Sequence, residues 1–403
     1  MKTIEIRNKY IAFAIAFQFL VTGSRIILIQ AIPSLYSMNN ILLILNIASI
    51  IIVYLYTINK IKSIPSNNFY WIFIFVVLLT FIIAAINRPL IMPLVKSEMF
   101  NIIGYYILPS YMIASISDFK DLKIYMIRFS KILVIVSIIY AIFIYTIGHT
   151  TTSSWSTYNM SMSNVLLFAL LWLVSSFFRE KNIKLLVYIL IGSFILLVYG
   201  TRSAILSLII FTVFYLFFAS FKSRKSILSI MSFLLLVIML VSLMYYNEIL
   251  VLLINLIEQL GLESRSIKLL SQGGNDISIQ IRYNIQNQLL SYLQLNPFHA
   301  LGPYGDTAYF GEAAHNMYLS ILSTYGLFLG LVFITVYIIS LIVAGIKSKH
   351  ISNEVFLIMF FYAIPRSFYG VDIWYNDAFW LLLGVIFSIV VTNKYKTYLR
   401  LKI

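Results

Sequence analysis

An all-α, polytopic membrane protein is the fold class this sequence predicts, and three observations predict it. Hydrophobic residues make up 61% of the 403 and charged residues only 11%, where a soluble domain carries about 25% charged residues. The mean hydropathy is +0.94. Apolar stretches approaching the roughly 20 residues that cross a bilayer as helix recur along the whole chain, separated by short polar breaks rather than the alternating segments of a membrane barrel.

About twelve spans follow from these stretches, at residues 10–30, 41–58, 69–86, 99–117, 132–148, 164–178, 185–200, 203–220, 227–246, 315–345, 354–370 and 377–393. The basic start and apolar run of the first span lack a small-residue cleavage site, which predicts an uncleaved helix. With the N-terminus in the cytoplasm, 21 of the 29 lysines and arginines fall on that side, from Lys2, Arg7 and Lys9 to Lys394, Lys396, Arg400 and Lys402. Outside fall Arg88, Lys96, Arg265, Lys268 and Arg282, and at span ends or within spans fall Arg25, Arg202 and Arg366. This positive-inside asymmetry predicts that both termini are cytoplasmic.

The formal charge of +15 is spread over the cytoplasmic segments, which makes membrane lipid the expected partner and argues against nucleic acid. Cysteine is absent, so disulfides and thiolate metal sites are excluded. Residues 1–403 read as a single membrane domain. Its cytoplasmic connections are too short to hold a folded domain, so the chemistry is expected outside or within the membrane.

The outer side offers a Ser/Thr-rich loop, Gly148 to Ser163, and a much longer segment, residues 247–314. A loop of that length is usually functional or disordered. It begins with an amphipathic run, Ile249 to Leu260, breaks at Gly273 and Gly274, and resumes as a helical pattern from Ile279 to Leu295 that Asn296 and Pro297 stop. One or two short helices lying over the outer surface are expected. Glycines and Pro303 between Leu301 and Gly311 predict a tight turn, after which His315 opens the tenth span.

Three ionisable residues stand out on that side. Arg202, in the GTRS turn Gly200 to Ser203, sits at or just below the outer interface; a snorkelling anchor accounts for it, as does a site cation. Arg282 in QIRYNIQNQLLSYL reads as a solvated residue or a ligand. His315 reads as a cap, a satisfied polar residue, or a base by its titration range.

GTRSA at Gly200–Ala204, Arg282 ahead of NPFHALGPYG at Asn296–Gly305, and HNMYLSILSTYGLFLG at His315–Gly330 resemble the O-antigen ligase and polymerase superfamily in order, spacing and side. The resemblance implies a GT-C-like fold in a bacterial inner membrane, with the large loop between the ninth and tenth helices. It also implies an active site facing the periplasm or exterior. The reaction implied is transfer of a glycan from an undecaprenyl-diphosphate carrier to an acceptor sugar hydroxyl, with a chain-length regulator protein as a possible further partner. By the same resemblance Arg202 and Arg282 hold the diphosphate and His315 activates the acceptor. Elementary chemistry suits those roles, because a diphosphate departs already ionised and arginine offers a permanent cation with a fork matched to phosphate oxygens.

No cofactor and no metal are expected. The external acids Glu98, Glu248, Glu258, Glu263, Asp276, Asp306, Glu312, Asp372 and Asp377 show no paired ligand spacing, and the close pair Asp118 and Asp121 is predicted on the cytoplasmic side. Asn316 is expected to cap or to bind sugar; Glu312 reads first as a solvated loop acid, and as a residue orienting His315 if both share a helical turn. Arg25, Arg88 and Arg366 are second-rank phosphate ligands; Arg25 and Arg366 read equally as snorkelling residues, and Arg366 also as support for a kink at Pro365.

Within the superfamily a repeat-unit polymerase is favoured over a ligase that moves finished polymer onto lipid A core, because HNMYLSILSTYG lacks the acid that ligases often carry soon after the His–Asn pair. In a cell without an outer membrane the product would be capsule. A lipid-linked oligosaccharide flippase is the remaining alternative, and it would show two related halves.

Overall fold

The computed structural model describes residues 2–31, 35, 38–61, 68–87, 91–94, 98, 102–148, 160–223, 246–259, 267, 277–348, 353–369 and 373–400, and every regular element among these described residues is helical. In chain order they are α1 (Lys2–Ala31), α2 (Asn39–Ile61), α3 (Asn68–Asn87), a π-helical turn (Ile102–Ile107) running into α4 (Leu108–Ala114), α5 (Lys120–Gly148), α6 (Met160–Glu180), α7 (Ile183–Tyr199) and α8 (Arg202–Ser223). Then follow α9 (Tyr246–Gln259), α10 (Ile277–Leu295), α11 (Gly305–Phe310), α12 (Met317–Ser348), α13 (Asn353–Tyr369), a 3₁₀ turn (Ile373–Tyr375) and α14 (Asp377–Arg400).

Five of these helices are long and apolar enough to cross a membrane: α1, α2, α5, α6 and α12. Shorter apolar helices occupy Tyr70–Thr80, Ile102–Ala114, Ile183–Tyr199, Arg202–Phe217 and Asp377–Val390. The ninth expected span, apart from Tyr246, lies outside the described residues, as do Arg88 and most of the Ser/Thr-rich outer loop. Large apolar side chains stay exposed along α12, among them Val332, Val336, Ile339, Ile342 and Ile346. Their spacing makes one continuous helical stripe, which water would penalise and hydrocarbon accepts. The architecture is thus all-α and multi-pass.

The chain divides into two compact units. The second, Ala16–Val53 with Leu122–Asp276, is centred on α6, whose residues from Met162 to Ser176 are nearly all buried. A helix apolar all round belongs in the middle of a bundle. Phe19 of α1 meets Phe168 edge-on at 4.6 Å, and α7 and α8 pack on α6. On α9, Ile257 is buried beside Ile267, with Leu253, Ile254 and Leu197 of α7 against them, so α9 has a packed face as its amphipathic sequence predicts.

The first unit comprises Met1–Ile15, Tyr54–Asp121 and Ile277–Ile403. Its centre is α14, which approaches α4 so closely that a β-carbon on Gly384 would lie 2.4 Å from the Ser110 carbonyl. Ser388 Oγ donates to the Ile116 carbonyl at 2.6 Å. Pro365 lies inside α13.

The tenth expected span is present as α12, with its start just after His315 and within the tolerance of such bounds. It is not one continuous helix. α12 starts at Met317 and is interrupted at Gly326, where φ 77° and ψ 166° are non-helical. The part beyond the interruption, Leu327 to Ser348, holds about 22 residues, roughly 33 Å of helix, which alone matches a hydrocarbon core of about 30 Å.

Candidate functional site

The segment of the first unit that carries His315 is organised by that interruption. Gly326 frees two carbonyls and one amide of α12, and the segment after α10 satisfies them. Leu301 N–H donates to Ser323 O (2.8 Å), Gly302 N–H to Thr324 O (3.2 Å), and Leu327 N–H to Pro297 O (2.9 Å). Irregular backbone is thereby paired with irregular backbone, the arrangement a helix break next to a membrane demands. As the sequence predicts, α10 ends at Leu295 before Asn296 and Pro297.

Beyond Gly302 the expected tight turn is in fact a short helix. Tyr304 adopts a left-handed conformation and α11 follows, closed by left-handed Gly311. Asp306 is 1% exposed. Its Oδ1 accepts from Thr307 N–H at 2.8 Å and its Oδ2 from Ala314 N–H at 2.9 Å. Burial raises the Asp306 carboxyl above the usual aspartate range, while the backbone N–H donors pull it down.

His315 is half-buried and lies outside any helix, with φ of 50°, a left-handed value that a side chain with a β-carbon rarely takes. Glu312 is exposed in the irregular segment before it, as expected of a solvated loop acid, and the two do not share a helical turn. Asn316 caps α12, its Oδ1 accepting from Tyr318 N–H (3.0 Å) and Leu319 N–H (3.2 Å). Met317 is seated by Ser367 Oγ at 3.5 Å and Asn376 Nδ2 at 3.9 Å. Tyr318 packs on Phe368 at 5.1 Å and Tyr304 on Tyr375 at 5.0 Å.

Arg282 is half-buried on α10, on the stripe continued by Ile285, Leu289 and Leu293, which are buried. Leu289 and Leu293 form one cluster with Leu301 and Ala314. One turn after Arg282, Gln286 Nε2 donates to the Ala314 carbonyl at 3.0 Å. The arginine-bearing helix is therefore fastened to the residue that precedes His315.

Arg366 is 8% exposed. Its Nη1 meets Asp377 Oδ1 at 2.7 Å, Tyr362 Oη donates to Asp377 Oδ2 at 2.9 Å, and the guanidinium lies over the Tyr362 ring at 4.9 Å. This network joins α13 to α14.

Arg202 and Arg25 belong to the second unit. Thr201 caps α8 by accepting from Ala204 N–H at 3.3 Å, and its own N–H donates to Ser163 Oγ on α6 at 3.0 Å. Arg202 thus occupies the first turn of α8, where helix amides and guanidinium carry the same polarity. Arg25 Nη1 donates to Asn39 Oδ1 at 3.1 Å, linking α1 to α2. Among the described residues no group of three or more His, Asp or Glu side chains gathers to hold a metal.

Two residues bearing on the site escape a reading of the sequence. Asp306 is one external acid among several, and Gln286 is one amide on a largely polar helix. The only available signal is an isolated acid inside a glycine-rich turn.

A multi-pass helical membrane protein that builds an irregular, histidine-bearing turn is the class these observations define. Residues 187–334 match the family model described as O-antigen ligase (Wzy_C). No curated protein and no solved structure matches the chain. The matched stretch contains Arg202, Arg282 and His315, and it supports an enzymatic role in polysaccharide ligation or polymerisation.

Proposed function

We propose that the protein transfers a glycan from undecaprenyl diphosphate to an acceptor sugar hydroxyl at the outer face of the inner membrane, with ligation onto lipid A core as the first reading. The observation that carries it is the O-antigen ligase match, which spans the two arginines and the histidine. This reverses the order drawn from HNMYLSILSTYG, which put the polymerase first. Polymerisation of lipid-linked repeat units is the second reading, favoured by the lack of an acid soon after Asn316.

The topology that goes with this reading is twelve spans in one membrane domain, cytoplasmic termini, and residues 247–314 as the outer loop between the ninth and tenth. In the reaction, neutral His315 accepts the proton of the acceptor hydroxyl as its oxygen attacks the anomeric carbon. The bond from that carbon to the carrier diphosphate breaks with its electron pair leaving on the diphosphate oxygen, and the configuration inverts. Arg202 and Arg282 balance the developing charge, the role a divalent cation plays elsewhere, so the reaction is read as metal-independent. General base catalysis contributes about 10²- to 10⁴-fold, and stabilisation of the departing charge contributes more. Asn316 presents its amide beside the base, Arg25 and Arg88 are further phosphate ligands, and Arg366 supports the site through its pairing with Asp377.

Surface polysaccharide from cells lacking the protein tests this. Uncapped core with long carrier-linked chains is the ligase outcome, and core capped by one repeat unit is the polymerase outcome. Single units held inside the cytoplasm would sink both and point to a flippase.

A further inference from the structure

We propose that Gln286 and Asp306 are positioning residues that hold His315 through the backbone of Ala314. The proposal rests on His315 being the base. Ala314 is fully buried and gripped twice: its N–H by Asp306 Oδ2 at 2.9 Å and its C=O by Gln286 Nε2 at 3.0 Å. That carbonyl belongs to the planar peptide joining Ala314 to His315. Gln286 therefore fixes the plane from which the imidazole departs, and Asp306 fixes the plane before it.

Such pins have a purpose at this residue. A left-handed conformation is disfavoured for a side chain with a β-carbon and persists only where the surroundings over-determine it. A loop needing only to close would be served by glycine at 315, as it is at Gly311. Downstream the chain is fixed again, by the Asn316 cap and by the seat of Met317 under Ser367 and Asn376. His315 lies between a gripped Ala314 backbone and the anchored side chains of Asn316 and Met317, and a base must present one nitrogen at one place for proton transfer to be efficient. The Asp306 carboxylate is spent on backbone amides at this turn, although burying a charge is costly. Gln286 adds a link to function, because it shares a helix face with Arg282 one turn away and so couples the position of a phosphate ligand to that of the base.

The test uses full-length protein in detergent, with membranes from cells that lack it supplying carrier-linked glycan and acceptor. The initial transfer rate is followed against the amount of membrane. Gln286→Met, nearly isosteric and without a donor, is expected to lower the maximal rate on the order of tenfold or more, leaving the half-saturating amount unchanged. Gln286→Lys, which restores a donor, is expected to recover most of the loss. In a His315→Ala background, Gln286→Met is expected to change nothing further, because both act through one group. Wild-type rate in Gln286→Met, or the same fold loss with and without His315, overturns the positioning role. Where the His315→Ala rate is below detection, the lysine rescue decides: no recovery at normal protein level overturns it. Wild-type rate in His315→Ala alone overturns the base reading instead. Because Gln286 is only half-buried, its variants keep the proposal testable even if Asp306 variants fail to fold.

Discussion

The turns that carry Arg202 and His315 are built on opposite plans. Arg202 follows a threonine cap at the start of a regular helix, and the Thr201 amide ties the turn to Ser163. His315 takes a left-handed conformation between Ala314, whose backbone is held from α10 and α11, and Met317, whose side chain is seated by Ser367 of α13 and by Asn376 after the 3₁₀ turn. The difference follows from what each group is asked to do. A guanidinium acts on diffuse phosphate charge and tolerates some freedom on its long stem. A base must place one lone pair against one proton.

Substitutions at the two residues break the comparison most directly. His315→Ala is expected to reduce transfer by about 10²- to 10⁴-fold with normal protein level, and His315→Lys should be no better. At position 202 the alanine variant should also abolish activity, but Arg202→Lys should keep part of it, since lysine preserves the charge and loses only the fork. Equal losses for Arg202→Lys and Arg202→Ala would mean that geometry matters at both turns alike.

The buried pair of α13 and α14 provides a contrast within the first unit, where charge meets charge. Arg366→Met is expected to cost about 3 kcal/mol of stability, the lower end for removing one member of a buried pair, because the Asp377 side chain is 37% exposed. Adding Asp377→Leu should return most of it. Thermal unfolding in detergent measures both, and a full loss of transfer in a stable double variant would instead place Arg366 at the substrate.

Gly326→Ala follows in size. Its φ and ψ lie in a region almost exclusive to glycine, so a methyl group should cost about 1–3 kcal/mol. A β-carbon there would sit 3.4 Å from the Phe298 carbonyl, an ordinary contact, so the penalty is conformational. Undiminished stability would mean that the docking of residues 297–302 adapts without this break.

What was legible in the sequence was whatever neighbouring residues encode. Hydrophobic runs announced the helices, and Asn296 with Pro297 announced the end of α10. The break at Gly326 was hidden inside HNMYLSILSTYGLFLG because its cause is remote: the amides and carbonyl that repair it come from Pro297, Leu301 and Gly302. Arg366 could be read as a kink, a snorkel or a ligand, since its partner Asp377 lies 11 positions on, at the start of the next helix. His315 was placed at a helix start because the sequence shows Asn316 and an apolar run, whereas its left-handed backbone depends on Asp306 and Gln286, which reach Ala314 from 8 and 28 positions away.

The smallest expected effect concerns the pH dependence of the His315 turn, and its sign separates stability from function. Burial raises the folded-state pKa of Asp306 above that of a free aspartate, so the folded chain binds this proton more tightly than the unfolded chain does. The stabilising contribution is then fully present below the ordinary aspartate range and is lost as pH rises through the raised folded value. Thermal unfolding of wild type minus that of Asp306→Asn, measured from pH 4 to pH 8, should therefore decline with rising pH. Transfer should run the other way, because only the carboxylate accepts from Thr307 and Ala314 without placing a proton between them. If the unfolding difference is flat across that range, the Asp306 carboxylate is solvated like any exposed acid, and the histidine turn owes its shape to Gln286, the Asn316 cap and the seat of Met317.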